Sequence, residues 1–310
     1  NQTIRGFGGI SMPGWKHGLT TEQATLAFGN GEGQLGLSIL RVRVPTKSMY
    51  FPIEVPAAVV AKNLGAIIFA SPWSPPIEMK SNKDSIGGSL NTTSYGAYAD
   101  YLLSYATYMK NNGAPLYAIS LQNEPDISVS YSSCNWTSAQ MVDFLKNQGS
   151  KFDDLKVIAP ECFQFNKSFS DAILNDANAV NQVDIVGAHI YGGGLADYPL
   201  ARTKGKEVWM TEHYTESDNS GDKWPMALDV GTEIHNCMAA NFNAYIWWYI
   251  CRYYGFIGDG EMGTTVSVPT KRGYLMAQYS KFVRPGNIRL TATEKPLANV
   301  KVTAYKSDTS

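Results

Sequence analysis

The sequence has almost no net charge and no long apolar run. Its 26 basic and 27 acidic residues give a formal net charge of −1, and no block of like charges stands out. This balance argues against nucleic acid or an anionic membrane surface as a partner, because both are bound by an excess of Lys and Arg. No apolar stretch approaches the ~20 residues of a transmembrane helix. We therefore predict neither nucleic acid nor a membrane as a partner.

Cysteine and histidine are scarce, with four of each in 310 residues. No C-x-x-C pair and no H-E-x-x-H motif occurs, so the sequence predicts no metal site. The four cysteines leave two states open, either one or two disulfides or free buried thiols. A G-x-G-x-x-G match at Gly31–Gly36 precedes a strand-like run instead of following one, which argues against a nucleotide site. We expect no cofactor.

Short apolar runs and aromatic residues are abundant, by contrast. Aromatic residues make up 12% of the chain, and such rings either stack on sugars or fill a core. Eight strand-like runs are Ile4–Ile10, Ser38–Val44, Ala66–Trp73, Tyr117–Asn123, Lys156–Glu161, Asp184–Tyr191, Glu207–Tyr214 and Ala244–Ile250. The clearest helical stretches between them are Glu54–Asn63, Tyr95–Asn111, Ser138–Gly149, Pro225–Ala240 and Lys271–Val283. This alternation predicts an α/β fold, a (β/α)8 TIM barrel over residues 1–286, with a doubly wound sheet as the second choice.

The end of the chain has a different pattern. Pro285-Gly286 interrupts it, and Ile288–Thr293 and Asn299–Tyr305 then follow as two strand-like runs with no helix between them. We predict that residues 287–310 form a hairpin that begins a second, all-β element. Because two strands are marginally stable by themselves, the element is expected to be incomplete.

Two glutamates lie at the C-terminal ends of the fourth and seventh strand-like runs: Glu124, in Gln122-Asn-Glu-Pro125, directly follows the fourth, and Glu212, in Trp209-Met-Thr-Glu-His213, lies near the end of the seventh. In a (β/α)8 barrel the C-terminal ends of the strands form the active site, so both carboxyls are expected at one rim. A pair of carboxyls is the equipment of a glycoside hydrolase. We predict Glu124 as the acid/base and Glu212 as the nucleophile.

Other polar residues close strand-like runs as well. Glu161 is a third rim carboxylate and the chief rival for either catalytic role, although we interpret it as supporting. Arg41 ends the second run and is the expected cation beside Glu212, so a structural ion pair is the alternative interpretation of Glu212. Asn123, His189 and Tyr191 are expected to contact substrate or the two catalytic glutamates, and for each histidine a structural role is an equal alternative.

Taken together, these motifs resemble glycoside hydrolase family 30. The resemblance rests on six segments in order, namely Ile4-Arg-Gly-Phe-Gly-Gly9, Phe69-Ala-Ser-Pro-Trp-Ser-Pro-Pro76, Gln122-Asn-Glu-Pro125, Trp209-Met-Thr-Glu-His213, Trp247-Trp-Tyr249 and Lys271-Arg-Gly-Tyr274. It implies a retaining mechanism, with Glu124 and Glu212 in the roles given above, Arg41 near the nucleophile and Trp73 at the substrate. The family carries a β-sandwich beside the barrel, which implies that residues 287–310 are part of that module.

Within the family, the segment Trp247-Trp-Tyr-Ile-Cys-Arg-Tyr-Tyr254 is similar to bacterial glucuronoxylanases. Those enzymes bind a glucuronate branch of xylan through an Arg-x-Tyr pair, which implies that role for Arg252 and Tyr254, beside Trp248. Two features depart from the pattern: Cys251 stands where an arginine is common, and the loop Thr215–Lys223 has no match.

The sequence thus predicts a secreted, retaining endo-β-1,4-xylanase that favours glucuronate-branched xylan. A general endo-xylanase without glucuronate dependence is one alternative, and a β-1,6-glucanase or glucosylceramidase of the same family is another. A carbohydrate-binding barrel without activity is a third. The full-length protein is compatible with additional carbohydrate-binding or other modules.

Overall fold

A computed structural model of the chain describes residues 2–215 and 220–307. Eight parallel strands close into a barrel in which each strand pairs with the next and β1 pairs with β8. The strands are β1 Gly6–Ile10, β2 Ile39–Val44, β3 Ile67–Pro72, β4 Ala118–Ser120, β5 Lys156–Ile158, β6 Ile185–His189, β7 Glu207–Glu212 and β8 Ala244–Tyr249. The predicted (β/α)8 barrel is confirmed, and the doubly wound sheet is wrong.

Helices connect successive strands around the outside of the barrel. They are α1 Thr21–Phe28, α2 Val55–Asn63, α3 Tyr95–Asn111, α4 Ser138–Gln148, α5 Lys167–Asn175, α6 Pro199–Thr203, α7 Trp224–Ala239 and α8 Lys271–Ser280. All five predicted helices are present, within three residues at each end. Among the described residues, no helix is both long and apolar enough to cross a membrane.

Capping residues fix several helix starts. The Thr137 side chain accepts the Gln140 N–H while the Gln140 side chain accepts the Thr137 N–H, a capping box that begins α4. Thr20 and Gln23 form the same motif at α1, a helix that was not among the predicted ones. The cap of α4 is therefore one residue before the first helical residue, Ser138.

The barrel interior is built in layers. Its lower layer is apolar and takes residues from seven strands, namely Ile39, Phe69, Ala118, Ile158, Ile185, Trp209, Ala244 and Ile246. Side chains two positions further along a strand face the same side. In β2 and β3 those positions hold Arg41 and Ser71, both fully buried. The polar chemistry of the chain thus lies directly on top of an apolar plug, at the C-terminal ends of the strands.

A two-stranded antiparallel sheet follows the barrel. Its strands, β9 Ile288–Leu290 and β10 Ala304–Lys306, are shorter than the two predicted runs, and they confirm the hairpin pairing. Thr3 forms an isolated bridge with Ile288, so both chain ends meet at this sheet. The last three residues of the predicted element, 308–310, and residues 216–219 of the predicted loop lie outside the described residues.

The cysteines settle one question that the sequence left open. All four are free thiols, and three of them are buried. Burial raises the pKa of the Cys134 thiol to about 11. The thiols therefore behave as small core residues rather than as nucleophiles.

Candidate active site

Two of the predicted strands are shorter in the structure than the sequence indicated, and two glutamates of the candidate site lie just beyond their ends. β4 stops at Ser120 and β5 at Ile158, so Glu124 and Glu161 stand on turns beyond them and not on the strands. Both glutamates have positive φ, 47° and 58° respectively. Non-glycine residues in this region cost on the order of 1–2 kcal/mol, and such residues cluster at functional sites.

Glu212 is directed into the site by an irregularity in strand pairing. It is the last residue of β7, and the pairing of β6 with β7 shifts register between Ala188 and His189. The shift leaves Thr211 as an extra residue, which reverses the inward and outward alternation at the end of the strand. Glu212 therefore points toward the site, although simple alternation from the inward-facing Trp209 would direct it outward.

One buried cation joins the carboxylates. Arg41 Nη1 donates to Glu212, and Nη2 donates to Asn123 Oδ1 at 2.6 Å and to Glu161 Oε1 at 3.2 Å. Its guanidinium lies over the Trp73 ring, 4.8 Å from the centroid. The expected ion pair between Arg41 and Glu212 is present, and the same arginine also orients the Asn123 amide.

Glu161 has the surroundings of a permanent anion. Ser71 donates to its Oε2 at 2.8 Å, and its Oε1 lies 3.6 Å from His189 Nε2. Burial raises the pKa of Glu161, but the Arg41 charge and the contacts with His189 outweigh burial and lower it to about 2. A Cβ at Gly187 would lie 2.6 Å from the Glu161 Cγ, so only glycine there leaves room for this side chain.

His189 is the second cation of the site. Its Nδ1 lies 3.0 Å from Glu124 Oε1. Burial lowers the pKa of His189, whereas the Glu212 charge and hydrogen bonds to Glu124 and Glu161 raise it, with a net rise to about 9. The imidazole is therefore protonated at neutral pH and adds a second positive charge to that of Arg41.

Glu212 is held by a charged and a neutral donor. Besides Arg41, the Tyr191 hydroxyl donates to its Oε1 at 2.8 Å. Burial raises the pKa of Glu212, and the His189 and Arg41 charges reduce that rise without cancelling it. The Arg41 guanidinium bonds directly to Glu212, so a cation is in place beside this carboxyl when it is ionised.

The two candidate carboxyls have different partners. Arg41 and Tyr191 donate to Glu212, whereas Glu124 contacts His189 and Tyr131 and, among the described residues, has no hydrogen bond to Arg41. The two carboxyls are therefore not equivalent, and the one without an arginine partner is the better candidate for a group that gives up and takes back a proton.

The spacing of the two candidate carboxyls is short. An oxygen of Glu124 and an oxygen of Glu212 lie within 4.8 Å of each other. Retaining glycosidases hold their carboxyl groups about 5–5.5 Å apart, and inverting enzymes about 6.5–9.5 Å apart. A pair of oxygens within 4.8 Å is compatible with the shorter, retaining separation, in which one carboxylate attacks directly.

An open cavity of about 370 Å³ exposes the two carboxyls. Its walls are Trp15, Trp73, Tyr131, Phe163, Tyr191, Tyr214 and Trp248, together with Glu124 and Glu212. Aromatic rings around two acids form a surface for uncharged sugar rings. Three predicted substrate residues, Trp73, Tyr191 and Trp248, thus lie in the cavity wall, while Asn123 and His189 lie beneath it.

The predicted branch-binding pair lies to one side. Tyr254 stacks on Tyr214, with ring centroids 5.1 Å apart, and does not itself line the catalytic cavity. Arg252 lines a neighbouring cavity of about 390 Å³, together with Lys16, His17, Asp259 and Glu261, among other residues. The structure therefore brings Tyr254 to the edge of the catalytic cavity and Arg252 into a separate one.

Four residues of the cavity were not predicted from the sequence. Trp15 and Tyr131 pack edge to face 5.6 Å apart, and the Tyr131 hydroxyl donates to Glu124 Oε2 at 2.8 Å. Phe163 stacks on Tyr191, and Tyr214 is the second residue after Glu212. All four lie on segments that follow barrel strands, which is the general signal that could have identified them.

The buried trio Glu124, His189 and Glu212 also has the ligand types of a metal site, with ligand atoms within 4.8 Å of one another. However, Arg41 donates to one of the two carboxylates, and both imidazole nitrogens of His189 face carboxylates. A site that already contains two cations repels a third. The donor set thus fits proton chemistry better than metal binding.

Comparison with known proteins identifies the family. The glycosyl hydrolase family 30 TIM-barrel domain matches residues 46–232. Glucuronoxylanase XynC of Bacillus subtilis strain 168 is 48% identical over 99% of this chain and 73% of its own length. The chain belongs to glycosyl hydrolase family 30.

Solved structures of the family agree. The chain superposes on the family 30 subfamily 8 xylanase Xyn30A from Clostridium acetobutylicum with a TM-score of 0.89 and 41% identity, covering 99% of this chain and 79% of that one. A family 30 endoxylanase from Clostridium papyrosolvens C71 gives a TM-score of 0.86 at 38% identity, with the same two coverages. Family 30 membership and the barrel fold are therefore confirmed.

Proposed function

We propose that this chain is a retaining endo-β-1,4-xylanase that uses Glu212 as nucleophile and Glu124 as acid/base. The observation that carries the proposal is the pair itself: two carboxyls within 4.8 Å at the base of an aromatic cavity, one held by a cation. The 48% identity to a glucuronoxylanase supports xylan as the substrate.

In the first step Glu212 attacks the anomeric carbon while Glu124 protonates the leaving oxygen. Tyr191 donates to Glu212 Oε1 and Arg41 to Oε2, so the two donors hold the attacking carboxylate in a fixed orientation. The positive charge that develops on the sugar lies next to an anion that already has these partners.

In the second step Glu124, now ionised, removes a proton from water, which releases the glycosyl group from Glu212. His189 donates to Glu124 Oε1, and this contact stabilises the carboxylate that forms after the proton has left. Asn123 is fixed through its oxygen by Arg41, so its amide nitrogen serves as the donor to a substrate hydroxyl.

We also propose that Arg252 and Tyr254 bind the glucuronate branch. Arg252 is a guanidinium at a cavity next to the catalytic one, and Tyr254 stacks on a ring of the catalytic cavity wall. This position suits a side branch that leaves the main chain beside the cleavage site. Two acidic neighbours of Arg252, Asp259 and Glu261, support the alternative, a general endo-xylanase.

A wider context completes the proposal. Xylan is a polymer outside cells, so we propose that the enzyme acts there after secretion. We propose residues 1–286 as the catalytic barrel and residues 287–310 as part of a side β-element. Additional carbohydrate-binding modules would be compatible with this arrangement.

The proposal is tested with three polymers, namely glucuronoxylan, arabinoxylan and a β-1,6-glucan, with mass spectrometry of the products. A xylanase releases xylo-oligosaccharides from at least one xylan and nothing from the glucan. Release of gluco-oligosaccharides alone would instead assign the glucanase alternative, and binding without new reducing ends would assign a carbohydrate-binding barrel.

The roles are tested by substitution. Glu212→Gln should lower kcat by about a thousandfold or more with folding intact, because the nucleophile is removed. On an aryl xylobioside, whose phenolate leaves without protonation, Glu124→Ala should regain activity with azide and yield a β-glycosyl azide, because a small anion can attack the glycosyl-enzyme without a base. The control, Glu32→Gln, changes an exposed acid before β2 and should retain full activity. Normal turnover by the Glu212 variant would contradict the assignment.

A further inference from the structure

Arg252 already has two carboxylate partners. Its Nη1 donates to Asp259 Oδ2 and to Glu261 Oε2, each at 3.0 Å. The guanidinium also lies over the Tyr253 ring, 4.9 Å from its centroid. One positive charge therefore faces two negative charges before any substrate arrives.

A single turn between β8 and α8 presents both acids. Asp259 Oδ1 accepts the Glu261 N–H at 3.0 Å, which leaves Oδ2 for Arg252. The Thr264 hydroxyl donates to the Glu261 carbonyl at 2.8 Å and accepts the Gly260 N–H at 3.2 Å. These bonds fix the backbone of the turn. The turn therefore holds both acidic residues next to Arg252.

The two acids differ in how firmly they are held. The Glu261 side chain is 56% exposed, and among the described residues its carboxylate bonds only to Arg252. The Asp259 side chain is 19% exposed and also caps the turn. Glu261 can therefore move into solvent at little cost, whereas Asp259 cannot leave without breaking the turn.

We infer that Asp259 and Glu261 are specificity-determining residues, internal carboxylates that compete with an acidic xylan branch for Arg252. This inference rests on the proposed function. A branch carboxylate that binds Nη1 displaces Glu261 and still faces Asp259, so like-charge repulsion offsets much of its attraction to the guanidinium. Lys16 lines the same cavity and contributes a further positive charge that attracts the branch.

Neutral xylan does not meet this repulsion. Its main chain needs the catalytic cavity alone, whose walls contain neither Arg252 nor the two acids. The enzyme should therefore cleave arabinoxylan as well as glucuronoxylan and prefer the acidic polymer only modestly. Cleavage that depends strictly on the branch would require an arginine whose charge is not already neutralised.

The experiment measures kcat/KM on glucuronoxylan and on arabinoxylan for the wild type and for Glu261→Gln, which keeps the size of the side chain and removes its charge. The ratio of the two values, acidic over neutral polymer, should rise about two- to fivefold, the range for a solvent-screened ion pair. Glu32→Gln makes the same change in net charge at the opposite end of the barrel and should leave the ratio unchanged.

An Arg252→Gln background separates competition from other effects. There, Glu261→Gln should no longer change the ratio, because the contested cation is absent. When Arg252 is present, Asp259→Asn should raise the ratio, as Glu261→Gln does.

Two results would overturn the inference. A lower ratio for Glu261→Gln would mean that the acid positions Arg252 for the branch, and an unchanged ratio would mean that the branch does not meet this pair. Failure of the wild type to cleave either xylan contradicts the proposed function instead, so the two failures are distinct.

Discussion

At the scale of single residues, the site depends on one arginine that bonds to three other side chains. Arg41 is fully buried and bonds to Glu212, Glu161 and Asn123. A buried anion is tolerated only beside a cation or several donors, so two of the three carboxylates rely on this guanidinium. The third, Glu124, has side-chain hydrogen bonds only to His189 and Tyr131 among the described residues, and we propose it as the acid/base.

Tyr131 should support the role that we propose for Glu124. Its hydroxyl donates to Glu124 Oε2 at 2.8 Å and so fixes the direction of that carboxyl. Tyr131→Phe removes this hydrogen bond and should lower kcat on xylan by about five- to tenfold with folding intact, because such a bond contributes about 1–1.5 kcal/mol. The measurement is the steady-state kinetics of xylan hydrolysis.

The control for this substitution is Tyr274→Phe, at an exposed tyrosine on α8. Tyr131→Phe retains the ring that packs against Trp15, so an unchanged kcat in this variant would show that the ring and not the hydroxyl accounts for the role of Tyr131. The other charged groups around Glu124 stay in place, namely Arg41, Glu161, His189 and Glu212.

At the scale of elements, the α4 cap offers a direct test of local structure. Thr137→Ala removes the side chain that accepts the Gln140 N–H and should lower the free energy of unfolding by about 1 kcal/mol. Ser138→Ala, one residue later and already inside the helix, should change it much less. Thermal or denaturant unfolding of both variants measures the difference. Equal losses would contradict the assignment of Thr137 as the cap.

How far the elements could be predicted depends on what their sequence pattern reports. Apolar runs report burial, which is why all eight barrel strands and five helices were predicted. The predicted run Tyr117–Asn123 extends three residues beyond β4 because Leu121 and Asn123 are buried as well, and their N–H groups still donate to Ile158 and Pro72 after the regular strand has ended. Only hydrogen-bond partners mark that end, and those belong to neighbouring strands far away in the sequence.

The same limit applies to the site. Glu124 and Glu212 were predictable because each closes a buried run at the rim. Tyr131 was not, because its place depends on how the long segment after β4 folds back over the cavity. Nor does any local pattern show that Arg252 faces Asp259 across a turn.

At the scale of the whole molecule, the buried charges should limit stability at both ends of the pH range. The folded pKa of Glu161 is lowered to about 2 from 4.5, so its contribution is present above pH 4.5 and is lost as the pH falls toward 2. The folded pKa of His189 is raised to about 9 from 6.5, so its contribution is complete below pH 6.5 and is lost as the pH rises through 9.

The combined contribution of Glu161 and His189 to the free energy of unfolding should therefore be largest between about pH 4.5 and 6.5. Urea unfolding across the pH range measures it. Glu161→Gln should flatten the acidic slope, and it should lower stability at pH 6 by about 3–5 kcal/mol because Arg41 loses a buried partner. An acidic slope that stays as steep in this variant would assign the slope to other carboxylates.

The pairing of β1 with β8 also has a consequence in time. Ribosomes add about 5–20 residues per second, so Ala244 is made on the order of ten seconds or more after Gly6. These two residues pair where β8 closes the barrel onto β1. Until then the sheet stays open, and Trp248 and the β8 end of the cavity do not yet exist. The complete active site therefore forms only near the end of synthesis, when β8 closes the barrel.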